Sequence, residues 1–258
     1  MTSENAQQLC YRTDTGVLLP GVSPEQHAAL LQALVQEYAL SSEQICEAAS
    51  YSLAMVVRVA LGLSADQAKV TGLAGDHING WSVLAALRHL ANAGTEARVM
   101  LVDAPLEGGS ENLARQLAPL RRMGISIEEW TGPQQNEGFS SILADSHAAV
   151  FGLFPPDGAA GAAVDRAVSL LNELRTPVHA VQAPTGVDLE TGVRRGTTLF
   201  ASSTMSLGVP LRALAPGSEY CGRLYLCDIS LPADLYRRVG PDIGRIFSEQ
   251  PVVRIFPA

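Results

Sequence analysis

The chain has 258 residues, is 47% hydrophobic and carries a formal net charge of −8. That length suits one large domain, or one domain with an N-terminal extension, with apolar material enough for a sizeable core. The acidic balance excludes the usual nucleic-acid binder, which needs a clustered basic surface; the Arg pairs at 121–122, 194–195 and 237–238 are isolated. Residues 1–23 read as an irregular lead-in, polar over the first 18 positions and without an apolar signal core. Residues 24–258 read as one domain. Ser23-Pro24-Glu25 opens a helix, with Ser23 as N-cap and Pro24 at the first helical position, running to about Tyr38. Ser41-Ser42-Glu43-Gln44 opens a second, whose apolar positions from Ile45 to Ala60 recur at helical spacing.

From Lys69 the pattern changes to alternating strands and helices. Strands are predicted at 69–74, 97–102, 125–130, 148–153 and 178–181, and helices at 80–93, 110–123, 139–144 and 162–174. Gly94 and Gly124 stand where helix C-caps are expected. Repeated βα units with short links imply a parallel sheet covered on both faces. The stretches 198–207 and 222–228 are strand-like, separated by a loop holding Pro216-Gly217. Four cysteines show no CxxC spacing, so they read as reduced packing residues, and no paired Cys/His motif offers a metal site. No window reaches the unbroken apolar length of a membrane span, and a reducing cytoplasm is the expected location.

Three predicted strand ends carry unusual residues, and ligands in open α/β sheets sit at the carboxyl ends of strands. The first is Gly75-Asp76-His77-Ile78-Asn79-Gly80-Trp81-Ser82, either a phosphate-binding cradle at a helix N-terminus or an ordinary βα turn. His77 is there a loop residue or a site residue. The second is 154–161, from Phe154 through Asp157 to Gly161, which closes over a ligand or serves as a rigid turn. The third is Gln182-Ala183-Pro184-Thr185-Gly186-Val187-Asp188, where proline removes a donor and glycine permits close backbone approach. His89 and His179 read as packing or surface residues.

The segment 177–192 resembles the V-x-A-I-D-I-P-S-G-L-D-A-D-T-G stretch of YjeF N-terminal domains, the NAD(P)HX epimerases and apolipoprotein A-I-binding proteins. Thr204-Met205-Ser206-Leu207-Gly208-Val209-Pro210 is similar to that family's T-V-T-F-G-x-P-K strand, and Asp228-Ile229-Ser230-Leu231-Pro232 to D-I-G-I-P. Upstream, Ile78-Asn79-Gly80-Trp81-Ser82-Val83 with Arg88-His89-Leu90 fits N-N-G-G-D-G…A-R-H-L, and Glu47-Ala48-Ala49 resembles M-E-N-A-G. The likeness covers about residues 25–235. It implies a Rossmann-like three-layer αβα sandwich, with a mostly parallel central sheet and N-terminal helices. It also implies epimerisation of hydrated NADH or NADPH by an aspartate beside a potassium ion.

Position by position, the implied chemistry is largely missing, although Asn79 matches the family's asparagine ligand and Thr185 stands for the serine of its ion site. Gln182 stands at the D-I-P-S-G aspartate, and an amide cannot act as a base near neutral pH. Phe151 replaces the aspartate of D-A-L-F-G-T-G and offers no oxygen to a hard cation. Trp81 and Ser82 replace the glycine and aspartate of G-G-D-G, and Trp81 is expected to crowd or stack on whatever enters. Potassium is therefore not expected. A nucleotide-like pocket is, with an NAD(P)-like molecule as ligand and His77, Asn79, Gly80, Trp81, Ser82, Phe154, Thr185 and Gly186 around it. Gln182, Asp188 and Asp157 are the candidates at the reacting centre. Three functions follow: a divergent pocket that is non-catalytic or repurposed, an active epimerase with relocated acid/base groups, or a homodimeric scaffold.

Overall fold

The computed structural model describes residues 9–62, 68–130, 136–153, 161–241 and 243–258. The first of these form a hairpin, β1 (Leu9–Thr13) and β2 (Leu18–Pro20). The expectation of an irregular lead-in is corrected here. β2 has only three residues, and β1 takes its second partner, β10, from the far end of the chain. Helices α1 (Pro24–Gln36) and α2 (Ser42–Ala60) begin where expected. Both carry full capping boxes, Ser23 with Gln26 and Ser41 with Gln44, which satisfy two orphan donors at each N-terminus.

The βα alternation then runs β3 (Lys69–Ala74), α3 (Ile78–Asn92), β4 (Glu96–Val102), α4 (Glu111–Arg122), β5 (Ser126–Trp130), α5 (Asn136–Ala144), β6 (Ala148–Gly152), α6 (Ala162–Leu174) and β7 (Val178–Val181). After it come β8 (Ser203–Leu207), a four-residue α7 (Ser218–Cys221), β9 (Arg223–Cys227), α8 (Ala233–Arg237) and β10 (Val252–Pro257). The expected strand over 198–207 begins only at Ser203, because the residues before it are bonded elsewhere. Leu199 N–H donates to Thr185 O at 3.0 Å, and Ala201 N–H to Tyr220 O at 2.8 Å. β10 has no counterpart in the sequence reading.

All ten strands join one sheet in the order β2-β1-β10-β9-β8-β7-β6-β3-β4-β5. The seven from β9 to β5 in that order are mutually parallel; β10, β1 and β2 extend the edge antiparallel. Alternation along each strand sorts the core into two layers. Ala148 and Val150 of β6 join the cluster containing α1 to α4, whereas Ala149 and Phe151 join the cluster containing α5 and α6. Helix α3 lies under α2 and against the sheet, so Val83, Leu84, Leu87 and Leu90 are fully buried. Each such side chain contributes about 1.5–3 kcal/mol relative to exposure.

The strand order fixes where a ligand can enter. From β3 the chain winds outward through β4 and β5, then returns to the other side of β3 and winds away through β6, β7, β8 and β9. The order reverses between β3 and β6. The helices that follow those two strands, α3 and α6, lie on opposite faces of the sheet, and the crevice beside such a reversal is the standard binding position of doubly wound sheets. Among the described residues, no helix is long and apolar enough to cross a membrane.

Candidate functional site

At the end of β3, a Cβ on Gly80 would fall 2.0 Å from Gly75 O and 2.6 Å from Gly75 N. Only glycine lets the first turn of α3 press that closely on the β3–α3 turn. The approach holds Asn79, 5% exposed, at the reversal point. His77 is the N-cap of α3, its carbonyl accepting from Trp81 N–H at 2.9 Å; its side chain makes no cap bond. Ser82 donates its hydroxyl back to Ile78 O at 2.8 Å, a bond within its own helix.

Trp81, expected to stack on a ligand, turns its indole N–H to Asp76 Oδ1 at 2.9 Å. Asp76 also accepts from Ser110 N–H at 2.7 Å and from the Ser110 hydroxyl, joining the β3–α3 turn to the cap of α4. Burial opposes its ionisation, but the bonds from Ser110 and Trp81 prevail and hold the carboxyl below the usual range.

At the end of β7, Gln182 has φ +66°, a left-handed backbone that a non-glycine residue adopts only when its surroundings enforce it. Two bonds do so: Gln182 N–H donates to Met205 O at 2.8 Å, and Gln182 Oε1 accepts from Leu207 N–H at 3.0 Å. The side chain is 5% exposed, and Nε2 has no partner. Thr185 is buried, with an unpartnered hydroxyl. Gly186 has φ +85°, and a Cβ there would meet Thr197 O at 2.2 Å.

Asp188 serves its own turn. Its Oδ1 accepts from Thr191 Oγ1 at 2.7 Å, Thr191 N–H at 2.8 Å and Glu190 N–H at 3.1 Å, and its Oδ2 pairs with Arg195 at 2.7 Å. The bonds from Thr191 and the charge of Arg195 hold its carboxyl below the ordinary range. A carboxylate so engaged is a poor base near neutral pH. Phe154 and Asp157 lie outside the described residues.

The residues brought together are Asn79 and Gln182. Both line a cavity of about 90 Å³ whose walls include Ile78, Leu189 and Leu211. His27 also lines it and was not anticipated. It reaches across from α1 to donate from Nε2 to Leu207 O at 2.9 Å, and burial lowers its pKa, leaving the ring neutral. A histidine on a helix two elements away gave no sequence signal. Asp103 follows β4 at φ +51°, with Oδ2 2.8 Å from where a Cβ on Gly161 would stand, at the start of α6.

The other histidines are elsewhere. His89 pairs with Glu47 on the surface, and His179 bonds Ser203 Oγ at 2.8 Å near the amino ends of β7 and β8. Of the donors to the cation that the family resemblance implies, Asn79 keeps an oxygen, while Phe151, fully buried in the α5–α6 apolar layer, supplies none. Among the described residues, no three His, Cys, Asp or Glu side chains converge as metal ligands.

A family model described as "YjeF-related protein N-terminus" matches residues 42–213. The NAD(P)H-hydrate epimerase of Dehalogenimonas lykanthroporepellens is 31% identical over 206 residues, covering 80% of this chain and 80% of that one. The enhancer of mRNA-decapping protein 3 of Macaca fascicularis is 26% identical over 246 residues, covering 88% of this chain but only 43% of that protein. The solved yeast protein YNL200c superposes with a TM-score of 0.78 at 19% identity, over 92% of this chain and 100% of that one, a likeness of fold alone. With two-thirds of its length matched by the family model and a relative above 30% identity, the chain belongs to the YjeF-related N-terminal family.

Proposed function

We propose that this protein keeps a small-molecule, nucleotide-like pocket at the β3/β6 reversal but does not run epimerase chemistry there, and is either non-catalytic or repurposed to another reaction. The observation that carries the reading is Gln182. It occupies the site position with an amide, whose oxygen is already committed to Leu207. Proton transfer at a hydrated ring carbon needs a group that gains and loses a proton near neutral pH, and neither an amide nor the turn-bound Asp188 does so. Support for the pocket comes from the strand-order reversal and from Asn79, buried in the cavity wall. Titration of the purified protein with NADH, NADPH and ADP-ribose tests the claim: saturable binding of at least one is expected. No affinity for any of them, with the fold intact, overturns it.

Two other readings have one observation each. The 31% identity to a protein named NAD(P)H-hydrate epimerase favours an active enzyme with relocated acid/base groups. A rate of epimer interconversion no faster than the spontaneous one removes it. A homodimer is favoured by α2, where Tyr51 and Val59 are 53% and 63% exposed and stand two turns apart on one side of the helix. Sedimentation showing a monomer at working concentration removes that reading.

A further inference from the structure

A second cavity lies at the opposite end of the sheet from the reversal. It holds about 350 Å³ at the amino ends of β6 to β9, beside the last turn of α2, a volume within the range of small-molecule sites. Parallel register sets His179 against Ser203, and Ser203 against Arg223, on three neighbouring strands. Register partners point to the same face, and all three side chains line the cavity. The ring hydrogens can be placed. Ser203 is 4% exposed and, among the described residues, bonds only His179 Nδ1, at 2.8 Å. The arrangement that uses its hydroxyl has it donating to Nδ1, which puts the imidazole hydrogen on Nε2. Burial pushes the His179 pKa down to about 4, so the ring is neutral at pH 7. His179 is 3% exposed, yet its Nε2, which has no partner, is not sealed off; it opens on the cavity.

The remaining walls select the ligand. His147 accepts from Lys69 N–H at Nδ1, at 2.9 Å, so the hydrogen of its uncharged ring also sits on Nε2. Arg223 stands exposed at the rim, and among the described residues no acid pairs with it. The described walls contain no Asp or Glu, in a chain of net charge −8. Val56, Leu61, Pro177 and the ring of Tyr225 supply apolar surface. Donors, one free cation and an apolar wall match one ligand chemistry. We propose that this cavity is a second ligand site, for a small monocarboxylic acid whose carboxylate accepts from Arg223 and from His179 Nε2–H while its apolar body lies against the end of α2. Two strand spacings, about 10 Å, separate His179 and Arg223 at the backbone, a gap that one carboxylate and a long arginine side chain bridge. A single guanidinium matches a monoanion and leaves a phosphate dianion half-compensated for the water it loses. The site is independent of the nucleotide pocket at the carboxyl ends.

The test follows the His179 ring by NMR in isotope-labelled protein, its signals identified by their loss in His179→Gln. Benzoate, its neutral isostere benzamide, and inorganic phosphate are added separately at matched ionic strength. The expected result is a saturable shift of the His179 ring with benzoate, and no affinity within tenfold of it for benzamide or phosphate. Arg223→Gln, at an exposed position, keeps the fold and should lower the benzoate affinity about tenfold or more. A ring unmoved by benzoate up to its solubility limit overturns the proposal. So does benzamide or phosphate binding as well as benzoate, or an affinity unchanged in Arg223→Gln. The result stands whichever way the nucleotide titration falls.

Discussion

Gly80→Ala sets two expectations against each other. Helix propensity alone favours alanine over glycine inside α3 by about 1 kcal/mol. The structure says the opposite, because the added methyl would stand 2.0 Å from Gly75 O and 2.6 Å from Gly75 N. Both obstacles are main chain, so no rotamer change relieves them, and the first turn of α3 must move by more than 1 Å to reach ordinary contact at about 3.4 Å. Overpacking of this kind is destabilising by about 3 kcal/mol at its upper range, which leaves a net loss of about 2 kcal/mol after the propensity gain. That loss lowers the melting temperature by about 4–8 °C for a chain of this size. Thermal unfolding followed by circular dichroism, with urea unfolding alongside, measures it. Gly138→Ala in α5 is the internal control: nothing lies within 4 Å of the new Cβ, so it should be neutral or slightly stabilising. A Gly80→Ala protein as stable as wild type would refute the close packing that holds Asn79 at the reversal point.

Other outcomes follow from single residues. Burial lowers the His179 pKa from 6.5 to about 4, so between those values the unfolded chain binds a proton that the native one refuses. Stability is full above the upper value and falls with pH below it, by about 2 kcal/mol between pH 7 and pH 5. Urea unfolding at the two pH values should show a shallower loss for His179→Gln, and equal losses would contradict the assignment. Asp188→Asn keeps the Oδ1 acceptor that holds the turn, so nucleotide affinity should stay within about twofold of wild type. A large drop in titration calorimetry would place Asp188 at the ligand. Burial pushes the Cys46 thiol up to about 11 and those of Cys221 and Cys227 to about 12. Native protein should therefore expose at most Cys10 to a thiol reagent, with the others reacting only on unfolding.

The parallel core was readable because its strands and helices carry strong local signals. Serine caps opened α1 and α2, glycines closed α3 and α4, and the βα period ran unbroken from β3 to β7. The edge was not readable. β1 pairs with β10, Tyr11 against Pro257, across nearly the whole chain, and β2 is a three-residue return beside β1. At the candidate site, side-chain direction came only from the structure. Trp81, Ser82 and Asp188 stand at pocket-edge positions in sequence, yet each spends its polar atoms on a neighbour: Asp76, Ile78 and Thr191. Conversely, His27 enters from α1 because α1 packs across the end of β8, a long-range fact without a local pattern.

The central claim is that Gln182 removes the family's proton transfer from this site. The rate at which the R and S hydrates of NADH interconvert, with and without the protein, tests it most directly. The prediction is a rate equal to the spontaneous one at saturating protein. An acceleration that survives purification and disappears in Gln182→Met would contradict it, by showing that an amide at this position still serves epimerisation.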